Sequence, residues 1–300
     1  MSAPVARIGG FAESEVSDVL ESACRQVGLD PSGAQILRGH TNAVFRLPTA
    51  GAVAKIARAG TPHANVRRTV ELVRWLTSLN FPTVELLAVD QPVSVGTHTV
   101  TFWEYLPQPD VPVPAADLAI PLRTLHRLPP PPFEVRPLDT VSAIRRSLDA
   151  TTALQITDIA YLSARVDQLE QDLEKVRFAL PPGLLQGDPQ HRNALHHPDG
   201  AVLCDWDTAC HGPAELDLVT VEIHCRRFGY GASHYKDFAR AYGFDVTKWN
   251  GYTVLRDLRE LRMITTNAKR AAANSPTLTE VVRRVKGLRH ANSDLRWNIL

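Results

Sequence analysis

Apolar residues at positions 16, 19, 20, 23, 24 and 27 (Val16, Val19, Leu20, Ala23, Cys24, Val27) recur at three- and four-residue spacing. This predicts an amphipathic helix over 12–28, ended by Gly28. The pattern then changes period. Two short β-type runs, Ala43–Leu47 and Ala52–Ala57, flank Pro48-Thr49-Ala50-Gly51 and predict a hairpin. A second helix is expected from Pro62 to Leu79, where Val66, Val70, Val73 and Leu76 keep to one face. Val84–Val89 and Thr97–Tyr105 read as strands, the latter rich in Thr, Val and aromatics. Pro107–Pro114 breaks the pattern and is expected to be a linker. Beyond it, helical periodicity dominates, at about 115–127, 138–150, 158–178, 214–227, 233–242, 252–270 and 276–290. One island of strand character, Asn193–Asp205, interrupts that series. The expectation is an α+β chain with a β-rich part over 1–106 and a mostly helical part over 107–300.

Composition narrows the class. The chain is 44% hydrophobic and 22% charged, an ordinary globular mixture. Thirty-three Lys plus Arg balance 32 Asp plus Glu, for a net charge of +1. That balance argues against nucleic-acid partners and a polybasic membrane patch. No apolar run approaches the roughly 18 residues of a membrane helix. Met1–Gly10 lacks the basic and apolar regions of a secretory signal. Cys24, Cys204, Cys210 and Cys225 show no CxxC or zinc-ligand spacing and read as reduced thiols, so a cytoplasmic location is expected.

Several motifs can be set aside. There is no GxxxxGK[ST], no HExxH and no GxSxG. Gly229-Tyr230-Gly231 follows a helix rather than a strand, which is wrong for a dinucleotide loop. His191, His196, His197 and His211 are dense enough to suggest a metal. However, His196-His197-Pro198-Asp199-Gly200 carries hairpin-tip chemistry, and the group reads as exposed turn histidines.

The segment Gln186-Gly187-Asp188-Pro189-Gln190-His191-Arg192-Asn193, followed by a turn and Cys204-Asp205-Trp206-Asp207, is different. Taking Asp199 as the centre of the hairpin, Asn193 lies six residues before it and Asp205 six after. In a symmetric antiparallel ladder those two face each other. A carboxamide oxygen and a carboxylate would then converge as hard ligands suited to Mg²⁺ that also holds substrate phosphates. Asp188, five residues before Asn193, enters the same place on a loop and is suited to accept a proton from a hydroxyl.

This order of parts is also that of the protein-kinase catalytic machinery. The stretch resembles the aminoglycoside phosphotransferase, or phosphotransferase enzyme, family of small-molecule kinases, with its HGDxxxxN loop, short hairpin and following Asp. Gly212-Pro213-Ala214-Glu215-Leu216-Asp217-Leu218 resembles a further family segment whose Asp braces a helix. Leu37–Arg46 resembles the family's nucleotide loop and includes Asn42; Lys55 sits where the family keeps a phosphate-gripping Lys. Trp103-Glu104-Tyr105 resembles the hinge that reads adenine, and the Leu125-His126 pair recurs in the family. The resemblance spans roughly residues 35 to 220.

It implies a bilobal protein-kinase-like fold, with a nucleotide-binding lobe over 1–106 and a helical lobe over 107–300 that carries catalytic loop and acceptor site. It also implies an ATP- and Mg²⁺-dependent kinase of a small-molecule hydroxyl: an aminoglycoside-like antibiotic, a sugar or an amino alcohol. Asp188 would be the base, Asn193 and Asp205 the metal ligands, and Asn42, Lys55, Trp103, Glu104 and Tyr105 the nucleotide site. The chain departs from the pattern at Gln186 and Gln190, where the family has histidines, so altered loop support is expected rather than lost chemistry. Where the family has a helix Glu paired with the Lys, this chain has Thr69 and the nearest acid is Glu71, so either the helix register shifts to pair Glu71 with Lys55 or phosphate and another acid hold the lysine. Asp207, Arg227 and Glu260 fall where acceptor contacts are built, against a plain reading of Arg227 and Glu260 as ion-pairing residues. The alternatives are a catalytically silent nucleotide-binding relative and, more remotely, a metal-dependent hydrolase using Asp205 and Asp207.

Overall fold

The computed structural model describes residues 7–8, 11–39 and 42–300. His40 and Thr41 of the expected nucleotide loop lie outside the described residues. The chain forms two compact units: the first holds residues up to Val111 together with Leu195–Asp207, the second Pro112–Ala194 and Thr208–Leu300. The expected boundary after residue 106 therefore needs correcting, since 195–207, anticipated in the second lobe, groups with the first.

The first unit opens with two short strands, β1 (Arg7–Ile8) and β2 (Phe11–Ala12), and helix α1 (Glu13–Gln26). Its centre is an antiparallel sheet in the order β3-β4-β5-β7-β6, built from β3 (Gln35–Arg38), β4 (Ala43–Leu47), β5 (Ala52–Ile56), β6 (Val93–Val95) and β7 (His98–Glu104). Strands β4 and β5 alternate strictly. Ala43, Phe45, Leu47, Ala52, Ala54 and Ile56 are buried in one core with Val16, Leu20 and Ala23 of α1. A period of two therefore turns Lys55 to the opposite face, where it is registered between Val44 and Thr101. Helix α2 (His63–Ser78) buries Thr69, Val70, Leu72, Val73 and Leu76.

The strand expected at Val84–Val89 does not form. Its residues meet β7 through a bridge from Leu86 to Trp103, the Leu87 amide on the Phe102 carbonyl and the Glu85 carbonyl accepting from the Glu104 amide, without a continuous ladder. The Gln91 side chain takes a ladder position instead. Its Oε1 accepts from the Phe102 amide at 2.8 Å, and its Nε2 donates to the carbonyls of Leu87 and Phe102. Segment 195–207 is tied in at Leu203, whose amide donates to Pro82 O and whose carbonyl accepts from the Val84 amide, both at 3.0 Å. The buried Trp206 adds an indole bond to Thr83 Oγ1 and an edge contact with Phe81.

The second unit contains α3 (Ala115–Leu125), α4 (Thr140–Asp149), α5 (Ile156–Leu173), α6 (Glu215–Arg227), α7 (Ala232–Tyr242), α8 (Tyr252–Ala268) and α9 (Pro276–Arg289). These match the predicted helices to within a few residues. Ile144, Leu162, Val166, Leu261, Ile264, Val281 and Val285 form its main core, the apolar faces of α4, α5, α8 and α9. Strand β8 (Pro182–Leu185) pairs antiparallel with β11 (Cys210–Pro213). The hairpin strands β9 (Ala194–His197) and β10 (Gly200–Leu203), which apart from Ala194 belong to the first unit, pair with each other. No described helix is long and apolar enough to cross a membrane.

Candidate active site

In the first unit, the Lys55 ammonium lies 2.8 Å from both Asp205 and Asp207. Burial alone would discharge the lysine, but the two carboxylates outweigh it and hold Lys55 protonated. In return Lys55, aided by Arg38, keeps Asp205 below the ordinary carboxylate range against the partial desolvation of its carboxylate. Asp205 reaches the lysine because the chain leaves β10 in a left-handed conformation there, φ 58°. Asn42 bridges the same cluster: its Nδ2 donates to Asp207 at 3.0 Å and its Oδ1 accepts from the Arg58 amide. Glu71 plays no part. It is exposed on α2, two positions from the buried Thr69, whose hydroxyl is spent on the Asn65 carbonyl. The acid for Lys55 comes from the β10 segment, not from the helix.

The hinge-like residues are partly committed. Trp103 is buried with its indole donating to Thr101 Oγ1, the Glu104 amide donates to Glu85 O, and the Tyr105 amide to Gly51 O. The Tyr105 ring carries the Arg46 guanidinium on its face at 4.4 Å.

In the second unit, the loop after β8 is tightly held. Asp217, fully buried near the start of α6, accepts the Gln186 amide at 2.8 Å and the Gly187 amide at 2.9 Å, and is bonded to His126. Gly187 sits at φ 85°, and a Cβ there would lie 2.3 Å from the Thr208 carbonyl oxygen, so no side chain fits. Gln186 Oε1 accepts the Asp188 amide at 2.7 Å, and Gln190 Nε2 donates to Asp188 Oδ2 at 2.9 Å. Asn193 Nδ2 donates to the Asp188 carbonyl, which reserves Oδ1 for another partner. A residue that the sequence did not single out completes the picture: Arg259 of α8 donates to Asp188 Oδ1 at 2.5 Å. Neither Asn193 nor Asp205 lies in a paired strand. Asn193 ends the 3₁₀ turn His191–Asn193 and Asp205 follows β10. The ladder argument that paired them therefore does not hold, and their roles rest on the motif alone.

A family model described as the phosphotransferase enzyme family matches residues 32–258. The chain belongs to the phosphotransferase enzyme family. Solved structures carry the same fold. An amicoumacin kinase in complex with AMP-PNP, Ca²⁺ and Ami is 13% identical with TM-score 0.73, covering 95% of this chain and 98% of that one. A choline/ethanolamine kinase family protein from Mesorhizobium loti is 16% identical with TM-score 0.69, covering 91% and 94%. An aminoglycoside phosphotransferase from Streptomyces rimosus in complex with ADP and streptomycin is 20% identical with TM-score 0.59, covering 80% and 97%. No curated protein matches. Membership makes the chain a small-molecule phosphotransferase, and the glutamines at 186 and 190 of this family loop are both engaged on Asp188.

Two expected acceptor residues need correcting. Arg227 and Glu260 are buried, at 4% and 1% exposure, and bonded to each other through Nε at 2.7 Å and Nη2 at 2.8 Å. Arg227 Nη1 donates to the Asn292 and Leu295 carbonyls, and Glu260 also accepts from Arg226. With these bonds satisfied inside the protein, the pair ties α6 to α8 and the C-terminal segment. His191 is likewise no exposed turn residue. It is 3% exposed, stacked on Tyr230 at 3.8 Å, and bonded to His234 at 2.7 Å.

Proposed function

We propose that this phosphotransferase uses ATP and Mg²⁺ to phosphorylate a hydroxyl of a small molecule. The observation that carries the reading is Lys55: a buried, charged ammonium on the sheet face opposite the core, held by the two acids of the Asp205-Trp206-Asp207 motif. A structural lysine in an apolar strand has no need of two carboxylates, whereas a phosphate-gripping one needs to be charged and aimed. Leu106 supports the nucleotide assignment. With the Glu104 and Tyr105 amides committed, it is the next amide before Pro107 and the one suited to an adenine edge.

The donor set fits a hard divalent cation. The Lys55 ammonium already stands as a cation on Asp205 and Asp207, and Asn193 keeps an amide oxygen in reserve. Among the described residues no three His, Cys, Asp or Glu side chains form a metal-holding group. A small set of oxygen ligands completed by phosphates and water is what Mg²⁺ takes. Asp205 and Asn193 would hold it, and when bound it neutralises phosphate charge during transfer. Asp188 orients the acceptor hydroxyl and takes its proton. Lys55 holds the phosphates. Release of ADP from ATP and Mg²⁺ across a panel of hydroxyl compounds tests the reading. Nucleotide binding without phosphate transfer to any of them would favour a silent relative and overturn it.

A further inference from the structure

The chemistry around Asp188 does not suit an amine-bearing acceptor. Every carboxylate on α6 and α8 is already engaged. On α6, Glu215 accepts the Ala179 and Leu180 amides, Asp217 holds the catalytic loop, and Glu222 takes Arg226. On α8, Asp257 takes Arg165 and Arg256, and Glu260 takes Arg226 and Arg227. An acceptor ammonium would meet no accessible open acid on these helices: the one carboxylate oxygen there without a partner, Glu215 Oε2, is fully buried. Positive groups, by contrast, are in surplus. Arg262, three residues after Arg259, bonds only neutral oxygens: Ala143 O, Ser147 Oγ and Thr266 Oγ1. Burial and the charges of Arg259, Arg146 and Arg270 push it down to about 10.

Arg259 itself is incompletely used. Its Nη2 holds Asp188 Oδ1, while its Nε is buried with no hydrogen-bond partner. An unpaired buried donor is costly. Nε–H and Nη2–H form one edge of the guanidinium, the fork that grips carboxylates and phosphates with two parallel bonds. Meanwhile Gln190 holds Oδ2, so each oxygen of the base already accepts a bond.

Resting on the phosphotransferase reading, we infer that the acceptor carries an anionic group, carboxylate or phosphoester, beside its hydroxyl, and that Arg259 receives that group. The incoming anion fills the Arg259 fork and draws the guanidinium off Asp188 Oδ1. The freed oxygen then takes the acceptor's proton as the acceptor oxygen bonds to the γ-phosphorus and the bond to ADP breaks. Only acceptors with a correctly placed anion unlock the base, so Arg259 sets specificity.

The test compares matched acceptors on the whole protein with ATP and Mg²⁺: glycerate for the carboxylate, glycerol 3-phosphate for the phosphoester, and aminopropanol, choline and streptomycin for the amines. ADP release should favour one of the anionic compounds over the amines by about 10- to 100-fold in kcat/KM, the worth of one hydrogen bond to a charged group. Whichever anion wins identifies the source. Arg259→Gln should erase that preference mainly through KM, and Arg259→Lys should restore part of it. Amine-bearing acceptors preferred by the wild type, or a preference unchanged in Arg259→Gln, would overturn the proposal. Binding of the same compounds, measured by calorimetry with a non-hydrolysable ATP analogue, is scored separately. If no ADP is released from any compound, the phosphotransferase reading fails. The binding order of anions against amines, and its loss in Arg259→Gln, still decides the Arg259 proposal.

Discussion

Arg227 with Glu260 and Arg259 with Asp188 are both arginine–carboxylate pairs, and their α8 members are neighbours in sequence. The first is complete. Two parallel bonds join guanidinium to carboxylate, Nη1 is spent on two backbone carbonyls, and neither side chain exceeds 4% exposure. The second is half made: one bond, one unpartnered Nε, and side chains 12% and 28% exposed. A buried pair with all its hydrogen bonds made gives the helix packing its register. A pair with a missing bond at the edge of a loop is poised to exchange partners. The difference teaches that charge type and sequence position do not separate structural from functional ion pairs; the count of satisfied donors does.

The sharpest way to break this comparison is Asp188→Asn. We expect turnover to fall by on the order of 10²–10⁴, the usual share of a general base, with nucleotide affinity nearly unchanged. Steady-state kinetics beside ATP-analogue binding checks both halves, and normal turnover would remove Asp188 from the base role. Glu260→Gln should do the opposite, sparing chemistry and costing about 3–5 kcal/mol of stability, because it leaves the buried Arg227 guanidinium without its carboxylate, while Arg226 keeps Glu222. Urea unfolding monitored by fluorescence measures it, and a loss under about 1 kcal/mol would mean the pair is not the clamp described.

Lys55→Ala extends the contrast to the first unit. Lys55 makes ion pairs to two acids, yet these are 37% and 44% exposed, so its loss should leave the fold intact. The rate should fall and KM for ATP rise, by about tenfold or more if the lysine makes a charge-assisted bond to phosphate. An unchanged rate at saturating ATP would argue that the lysine only neutralises Asp205 and Asp207.

How much of this was legible in the sequence depends on the range of the interaction. The hairpin β4–β5 and the helices follow from local periodicity, and their bounds fall within a few residues of expectation. Val84–Val89 failed because its β-rich composition is local while the decision was not: Gln91 supplies bonds a strand would have made to Phe102. The motif residues Asp188, Asn193, Lys55 and Asp205 were found because their order along the chain is informative. The partner of Lys55 was sought on α2, one element away, whereas it lies 150 residues along the chain at Asp205. Arg259 is 71 residues from Asp188 and sits among arginines at 256 and 262, so nothing local marks it. Conversely, Arg227 and Glu260 looked like acceptor residues because polar side chains in this region invite that reading, and only burial and bond counting reveal them as internal.

The smallest effect separates the neutral buried bases from the complete ion pair by pH. Burial, with the charges of Arg259 and Arg192 and the neighbouring His191, pushes His224 down to about 3; burial and His234 push His191 down to about 4. In the unfolded chain each takes a proton near its ordinary value of 6.5. Between the unfolded and folded values the unfolded state binds more protons, so stability is full above pH 6.5 and declines as pH falls. The Glu260 carboxyl is also held below its ordinary value of 4.5, its burial overcome by Arg227 and Arg226. Its contribution is present above pH 4.5 and is lost as pH falls through its folded value. From pH 6.5 down to 4.5, then, the histidines dominate this pair of effects, and Glu260 joins only below. His224→Phe, which keeps a ring for the 4.8 Å stack on Phe228, should flatten the pH dependence by up to one proton, about 1.4 kcal/mol per pH unit, from pH 6.5 down to about 3, and leave the Glu260 contribution below pH 4.5 in place. Denaturation midpoints at half-unit pH steps resolve the two windows. An upper window as steep in His224→Phe as in the wild type would show that His224 titrates in the folded protein much as it does in the unfolded chain.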